Sequence, residues 1–82
     1  MITREEAYNI ILNLNHEAYD FTYQRWVDAD DDEELREDAS LAQQEIFREL
    51  YDDLDTDTRK AIHYYVNTDE DFGCDFDGWY GD

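Results

Sequence analysis

The sequence predicts an all-α fold, a small compact domain of four to five helices with an acidic outer face. The chain has no proline and only three glycines, all near its C-terminus. Apolar residues recur three and four positions apart along most of its length, as on one face of a helix. They make up 41% of the 82 residues, enough for a core and too many for a disordered acidic tail. This length predicts a single domain, residues 1–82.

The first predicted helix opens at Thr3, and Glu6 completes the pattern of a capping box three positions later. An apolar stripe at helical spacing follows it, made of Ala7, Ile10, Ile11 and Leu14. Two asparagines, Asn13 and Asn15, predict an end near residue 15. Residues 16–27 fit two structures: one reading groups their aromatic residues on a helical stripe, whereas the other alternates them as in a strand. The longer stripe favours a helix, but the sequence does not exclude a strand for this segment.

Residues 28–31 are predicted to form a loop before a long helix. The carboxylates at the start of that helix interact favourably with its macrodipole. Its apolar stripe is the set Leu35, Ala39, Ala42, Ile46 and Leu50, with Phe47 and Leu54 beside it. The segment "DTDT" at 55–58 predicts the cap of a further helix over about residues 57–66. The tail places Phe72, Phe76, Trp79 and Tyr80 at short-helix spacing, and we expect them to dock on the core or on a second subunit.

Charge restricts the partners more than any motif does. The chain has 24 acidic residues against six Lys and Arg, a formal charge of −18, and eight of the eleven residues in "DADDDEELRED" (28–38) are carboxylates. Such a surface excludes nucleic acid and anionic membranes as direct partners and favours basic proteins and cations. The single cysteine, Cys74, cannot form an internal disulfide, which predicts a cytoplasmic protein. No signal peptide or transmembrane run is expected from the sequence.

The acidic run begins like a calcium-binding EF-hand loop and then departs from that pattern. If Asp28 is position 1, Asp30 and Asp32 fill positions 3 and 5. Position 6 is then Glu33 where the sharp turn needs glycine, and position 12 is Ala39 where the bidentate glutamate belongs. The sequence therefore predicts no dedicated calcium site.

The spacing of the remaining residues predicts no zinc site and no catalytic motif either. His16, His63 and Cys74 lack the intervals of zinc ligands. There is no phosphate-binding glycine loop and no Gly-x-Ser-x-Gly, and no single pair among so many carboxylates stands out as an acid–base couple. We expect no metal, no cofactor and no enzymatic activity, and hence a binding protein.

The carboxylates have a spacing that suits a nucleic-acid mimic. Residues four apart on a helix lie about 6 Å apart along its axis, close to the interval between phosphates on one DNA strand. Since duplex DNA carries one charge per roughly 1.7 Å, eighteen net charges match about 30 Å of duplex, or about nine base pairs. A symmetric dimer would match about twice that. The predicted phosphate-mimicking residues are Asp28, Asp30, Asp31, Asp32, Glu33, Glu34, Glu37, Asp38, Glu45, Glu49, Asp52, Asp53, Asp55 and Asp57.

Four segments distributed over the whole chain form a recognisable pattern. They are the opening "MITREEAYNIILNL", the acidic centre, "IHYYVNTDEDF" and the aromatic close "FDGWYG". In these segments the sequence resembles the Arn family, small DNA-mimicking anti-restriction proteins of T-even phages. It is also similar in charge and plan, though not in sequence, to the Ocr anti-restriction protein. The resemblance implies a homodimer in the cytoplasm of an infected bacterium. It implies as partner a basic DNA-binding host protein, a restriction endonuclease of the modification-dependent McrBC type.

The high negative charge also has three alternative causes. Immunity proteins of bacterial nuclease toxins are small, acidic and helical too, although they carry paired tyrosines near a proline and this chain has none. An immunity protein binds one nuclease tightly, whereas a mimic tolerates several DNA-binding proteins and loses affinity steeply with salt. An acidic chaperone for basic proteins and adaptation to a salty cytoplasm are the remaining two.

Overall fold

A computed structural model describes residues 1–81, which form four α-helices and no strand. The helices are α1 (Arg4–Ala29), α2 (Glu33–Asp52), α3 (Thr56–Thr68) and α4 (Glu70–Tyr80). The predicted all-α class is therefore confirmed, with four helices.

The first helix is longer than predicted. Its capping box is present as expected, since Thr3 and Glu6 each accept from the other's backbone N–H. The expected end near residue 15 is wrong, because α1 continues through residues 16–27 to Ala29. The Asn15 side chain does not break the helix; its Oδ1 accepts a hydrogen bond from Gln43 Nε2 on α2 at 3.0 Å.

The connection between α1 and α2 lies slightly later than predicted. Asp28 and Ala29 belong to α1 and not to a loop, and the chain reverses at residues 30–32. Asp30 has φ 46° and ψ −114°, a combination that L-residues rarely adopt. Asp32 then caps α2, because its carboxylate accepts from the N–H groups of Glu34 and Leu35 at 3.0 and 3.2 Å.

Small side chains form the contact between α1 and α2. The buried positions in the second half of α1 are Ala18, Thr22 and Ala29, and α2 buries Ala39. The predicted helical stripe of residues 16–27 is Tyr19, Tyr23, Trp26 and Val27. Trp26 is partly buried, and its Nε1 donates to Gln43 Oε1 on α2 at 2.9 Å, whereas the other three are 41–54% exposed. Leu35, predicted to lie in the stripe of α2, is likewise exposed. Alanines let two helices approach closely, so hydrophobicity alone did not identify the buried face.

The core draws on all four helices, and the aromatic tail completes it. Its buried members are Ala7, Ile11, Leu14 and Ala18 from α1, Phe47 from α2, Ile62 from α3 and Phe72 from α4. Around Phe47 the rings of Phe76, Trp79 and Tyr80 have centroids 5.8–6.5 Å away. Of the two expected destinations of the tail aromatics, the structure has them in the core of the same chain.

α3 and α4 cover only one half of the α1–α2 hairpin. The hydrogen bonds and aromatic contacts that join them to it involve residues 2–8 and residues 44–51. Residues 19–41, the hairpin arm, therefore project as a layer two helices thick. The molecule is correspondingly elongated, 42 × 23 × 17 Å.

The two glycines inside α4 have opposite environments and should respond oppositely to alanine. A Cβ at Gly73 would lie 2.6 Å from the carbonyl oxygen of Val66, whereas one at Gly78 would meet nothing within 4 Å in the described chain. Gly73→Ala should lower the free energy of unfolding by about 1–3 kcal/mol, because α3 and α4 must separate. Gly78→Ala, the matched control, should raise it by about 0.5–1 kcal/mol through helix propensity. Urea unfolding measures both; equal effects would contradict the packing described.

Candidate protein-binding surface

All fourteen predicted phosphate-mimicking carboxylates are exposed. Eight of them lie in residues 28–38, at the end of the hairpin arm. The other six, from Glu45 to Asp57, continue along α2 and into the start of α3. The structure thus arranges them along the length of the molecule, not around one centre.

None of these carboxylates forms an ion pair within 4.0 Å in the described chain, and Arg25 is the one cation that lines a depression with any of them, Asp28 and Asp38. Within residues 1–81 the one ion pair closer than 4.0 Å joins Arg4 to Asp69, and neither belongs to the predicted set. Other arginines are directed to backbone carbonyls: Arg36 donates to the oxygen of Asp30 at 3.1 Å, and Arg48 to that of Tyr80 at 3.2 Å. The negative charge of the surface is therefore available to a partner.

Two members of the set also serve as the N-caps of helices. Asp32 caps α2, and Asp55 caps α3 by accepting from the hydroxyl and the backbone N–H of Thr58. The hydrogen bond from the Thr58 hydroxyl is the main cause that lowers the pKa of Asp55, followed by that from the Thr58 N–H. Substitution at these two positions would alter folding as well as charge.

One side of the hairpin carries a line of shallow depressions that contain carboxylates. On α1, Glu6, Glu17 and Asp28 recur every eleven residues, or about three turns, and so share one side of the helix. Tyr8, which packs against Phe72 and Trp79 of α4, lies on the opposite side. We call this side the acidic face, and its depressions contain Asp28 and Asp38 with Arg25, Glu17 with Asp20, Glu49 with Asp53, and Glu6 with Asp55 and Asp57.

The acidic face includes two carboxylates that were not predicted, Glu17 and Asp20. Their segment was open between helix and strand, so the side on which they lie could not be assigned from the sequence. The eleven-residue recurrence of acids from Glu6 through Glu17 to Asp28 was the available signal, and it becomes meaningful only once α1 is one continuous helix.

A second row of acids follows the outer side of α2. It consists of Glu34, Asp38, Glu45, Glu49 and Asp52, with intervals of four, seven, four and three residues. From first to last the row extends about 27 Å along the helix axis. Leu41 lies within this row and is 54% exposed.

Cations gather in a different place. A depression of about 350 Å³ is lined by Tyr51, Thr56, Arg59, Lys60 and His63. Arg59 Nε is buried there without a hydrogen-bond partner among the described residues. Because it gathers cations, this depression is electrostatically distinct from the acidic face.

Among residues 1–81 no three His, Cys, Asp or Glu side chains come together in a way that could hold a metal ion. None of the helices in that part of the chain combines the length and apolar character needed to cross a membrane.

Comparison of the chain with protein-family models, with curated proteins and with solved structures gave no match. The site is therefore defined by its own geometry and charge.

Carboxylates that support the fold should differ from the other exposed carboxylates in how their substitution changes stability with pH. Asp69 caps α4, and the hydrogen bond from Arg4 is the main cause that lowers its pKa. A lowered folded-state pKa stabilises the fold above the ordinary carboxyl pKa of about 4, and this contribution is lost as the pH falls through the lowered value. Asp69→Asn should therefore destabilise the protein at pH 7, with a difference from wild type that vanishes in strong acid.

The matched control for this pH dependence is Glu45→Gln, at an exposed carboxylate with no ion pair in the described chain. It should leave stability at pH 7 unchanged or raise it slightly, because it relieves repulsion. Urea unfolding at pH 7 and pH 2 measures both variants. If Asp69→Asn differs from wild type equally at both pH values, the Asp69 charge does not stabilise the fold.

Proposed function

We propose that the protein is a DNA mimic that occupies the DNA-binding site of a host defence nuclease and thereby protects phage DNA in the bacterial cytoplasm. The observation that carries the proposal is a surface of exposed carboxylates that form no ion pair within the described residues, extended along a narrow molecule. The acids are exposed from the end of the hairpin arm to the start of α3.

Charge density supports the proposal quantitatively. Eighteen net negative charges over 42 Å give one per roughly 2.3 Å, against one per roughly 1.7 Å in duplex DNA. The cross-section of 23 × 17 Å is close to the width of a duplex. A cleft shaped and charged for DNA would therefore accept a body of similar width and similar linear charge.

Inhibition would follow from competition and needs no chemistry. Lysines and arginines that normally bind phosphates would meet carboxylates at a similar interval, and long-range attraction would accelerate their encounter. Once bound, the protein fills the DNA site and excludes the substrate. Because the attraction is electrostatic, the affinity should fall steeply as salt is added.

The class of nuclease comes from the resemblance to the Arn family, because charge alone does not select one. That resemblance makes an McrBC-type modification-dependent endonuclease the first target to test. It also makes a homodimer part of the proposal, in which two copies would imitate about twice the length of duplex.

The test reverses four carboxylates of the hairpin arm that neither cap a helix nor accept a hydrogen bond within residues 1–81: Asp31, Glu34, Glu37 and Asp38. Changing all four to Lys should abolish inhibition of DNA cleavage by an McrBC-type enzyme while the helical circular dichroism is retained. The matched control, with the same change in net charge, replaces Glu5, Glu70, Asp71 and Asp77, which lie outside the predicted set.

The control variant should still inhibit at low salt, because its acidic face and hairpin arm are intact. Normal inhibition by the folded hairpin-arm variant would contradict the proposal. Tight, salt-insensitive inhibition of a single nuclease toxin would favour an immunity protein instead.

A further inference from the structure

We infer that the groove between α1 and α2 on the acidic face imitates a groove of DNA, and that Phe21 on its floor contacts an apolar side chain of the bound protein. The inference rests on the proposed function and names the part of the partner that the groove receives. That part is the element of a DNA-binding protein that normally contacts bases.

Phe21 is the residue that points to this use. Its side chain is 72% exposed, more than any other large apolar residue except Met1. It lines one depression with Glu17 and Asp20, and a second with Glu49 and Asp53. An exposed phenyl ring is thus bordered by two pairs of carboxylates.

Folding does not account for this placement. Phe21 lies outside the core cluster and stacks on no other ring in the described chain. By contrast, Phe47 and Phe72 are fully buried, and Phe76 is partly buried against the same core. Phe21 is the one phenylalanine that the fold leaves in solvent.

The groove has an apolar floor between two acidic margins. Phe21 from α1 and Ile46 from α2 line the same depression, and Leu35 lies in the depression nearer the end of the hairpin arm, which Arg25 also lines. The α1 margin carries Glu17 and Asp28, and the α2 margin carries Asp38, Glu49 and Asp53. Packed helices have axes about 8–10 Å apart, so the two margins run side by side as phosphate backbones do along a groove.

The chemistry of DNA-binding proteins fits both parts of the groove. Their Lys and Arg side chains contact the phosphates, while apolar side chains touch thymine methyl groups or wedge between base steps. The acidic margins would receive the cations, and the floor would receive the apolar group that bases receive in DNA. A second copy of this chain is a poor occupant, because it would bring further carboxylates to the same margins.

The experiment measures affinity for an McrBC-type endonuclease over a range of KCl concentrations. Phe21→Ala should weaken binding about tenfold, as loss of an interfacial aromatic does, and should leave the slope of log K against log salt unchanged. Phe21→Leu, which keeps an apolar group, should bind nearly as wild type does. Glu49→Gln with Asp53→Asn should instead make the slope shallower.

Tyr64→Ala is the matched control, because Tyr64 is 51% exposed and lines none of the depressions that contain carboxylates. It should bind as wild type does. Unchanged affinity of Phe21→Ala, or an equal loss in Tyr64→Ala, would overturn the groove inference and leave the charge-based proposal standing. Failure of the wild-type protein to bind would overturn both.

Discussion

Repulsion among carboxylates is the constraint on which the rest of this structure depends. With eighteen net negative charges the chain gains stability from becoming compact only where apolar burial outweighs the repulsion. It concentrates that burial at one end, where Phe47, Phe72 and their aromatic neighbours join all four helices. The hairpin arm projects from this end with its acids spread over two helices. The same constraint explains why aspartates cap α2, α3 and α4, since a carboxylate at a helix N-terminus is stabilised by the dipole and by N–H groups.

The sequence predicted the helical elements well where the signals are local, as at the capping box and at the start of α3. It failed where a contact from a distant part of the chain decides the outcome. Asn15 predicts a helix end from the sequence, but in the structure its side chain accepts a hydrogen bond from Gln43 of α2 and the helix continues. The sequence pattern predicts that Tyr19 and Tyr23 are buried, but α1 packs against α2 through Ala18 and Thr22 instead. Periodicity identifies a helix, but the buried side follows from how closely its neighbour packs.

The residues of the candidate site could likewise be predicted only in part from the sequence. The exposure of its fourteen acids follows directly from their charge, so these residues could be named from the sequence. The inclusion of Glu17 and Asp20 could not, because it depends on the continuity of α1. The exposure of Phe21 could not be predicted either, since a phenylalanine in a sequence is expected to lie in the core. Only the three-dimensional arrangement shows an exposed ring bordered by carboxylates.

The central claim is that the protein and DNA occupy the same site on the target enzyme. The most direct measurement is the affinity of the wild-type protein for an McrBC-type endonuclease at increasing concentrations of a duplex that the enzyme binds. Mutually exclusive binding predicts that the apparent Kd rises in proportion to free duplex without reaching a limit. If the apparent Kd levels off, the enzyme holds both ligands at once, and the protein does not act as a mimic of DNA.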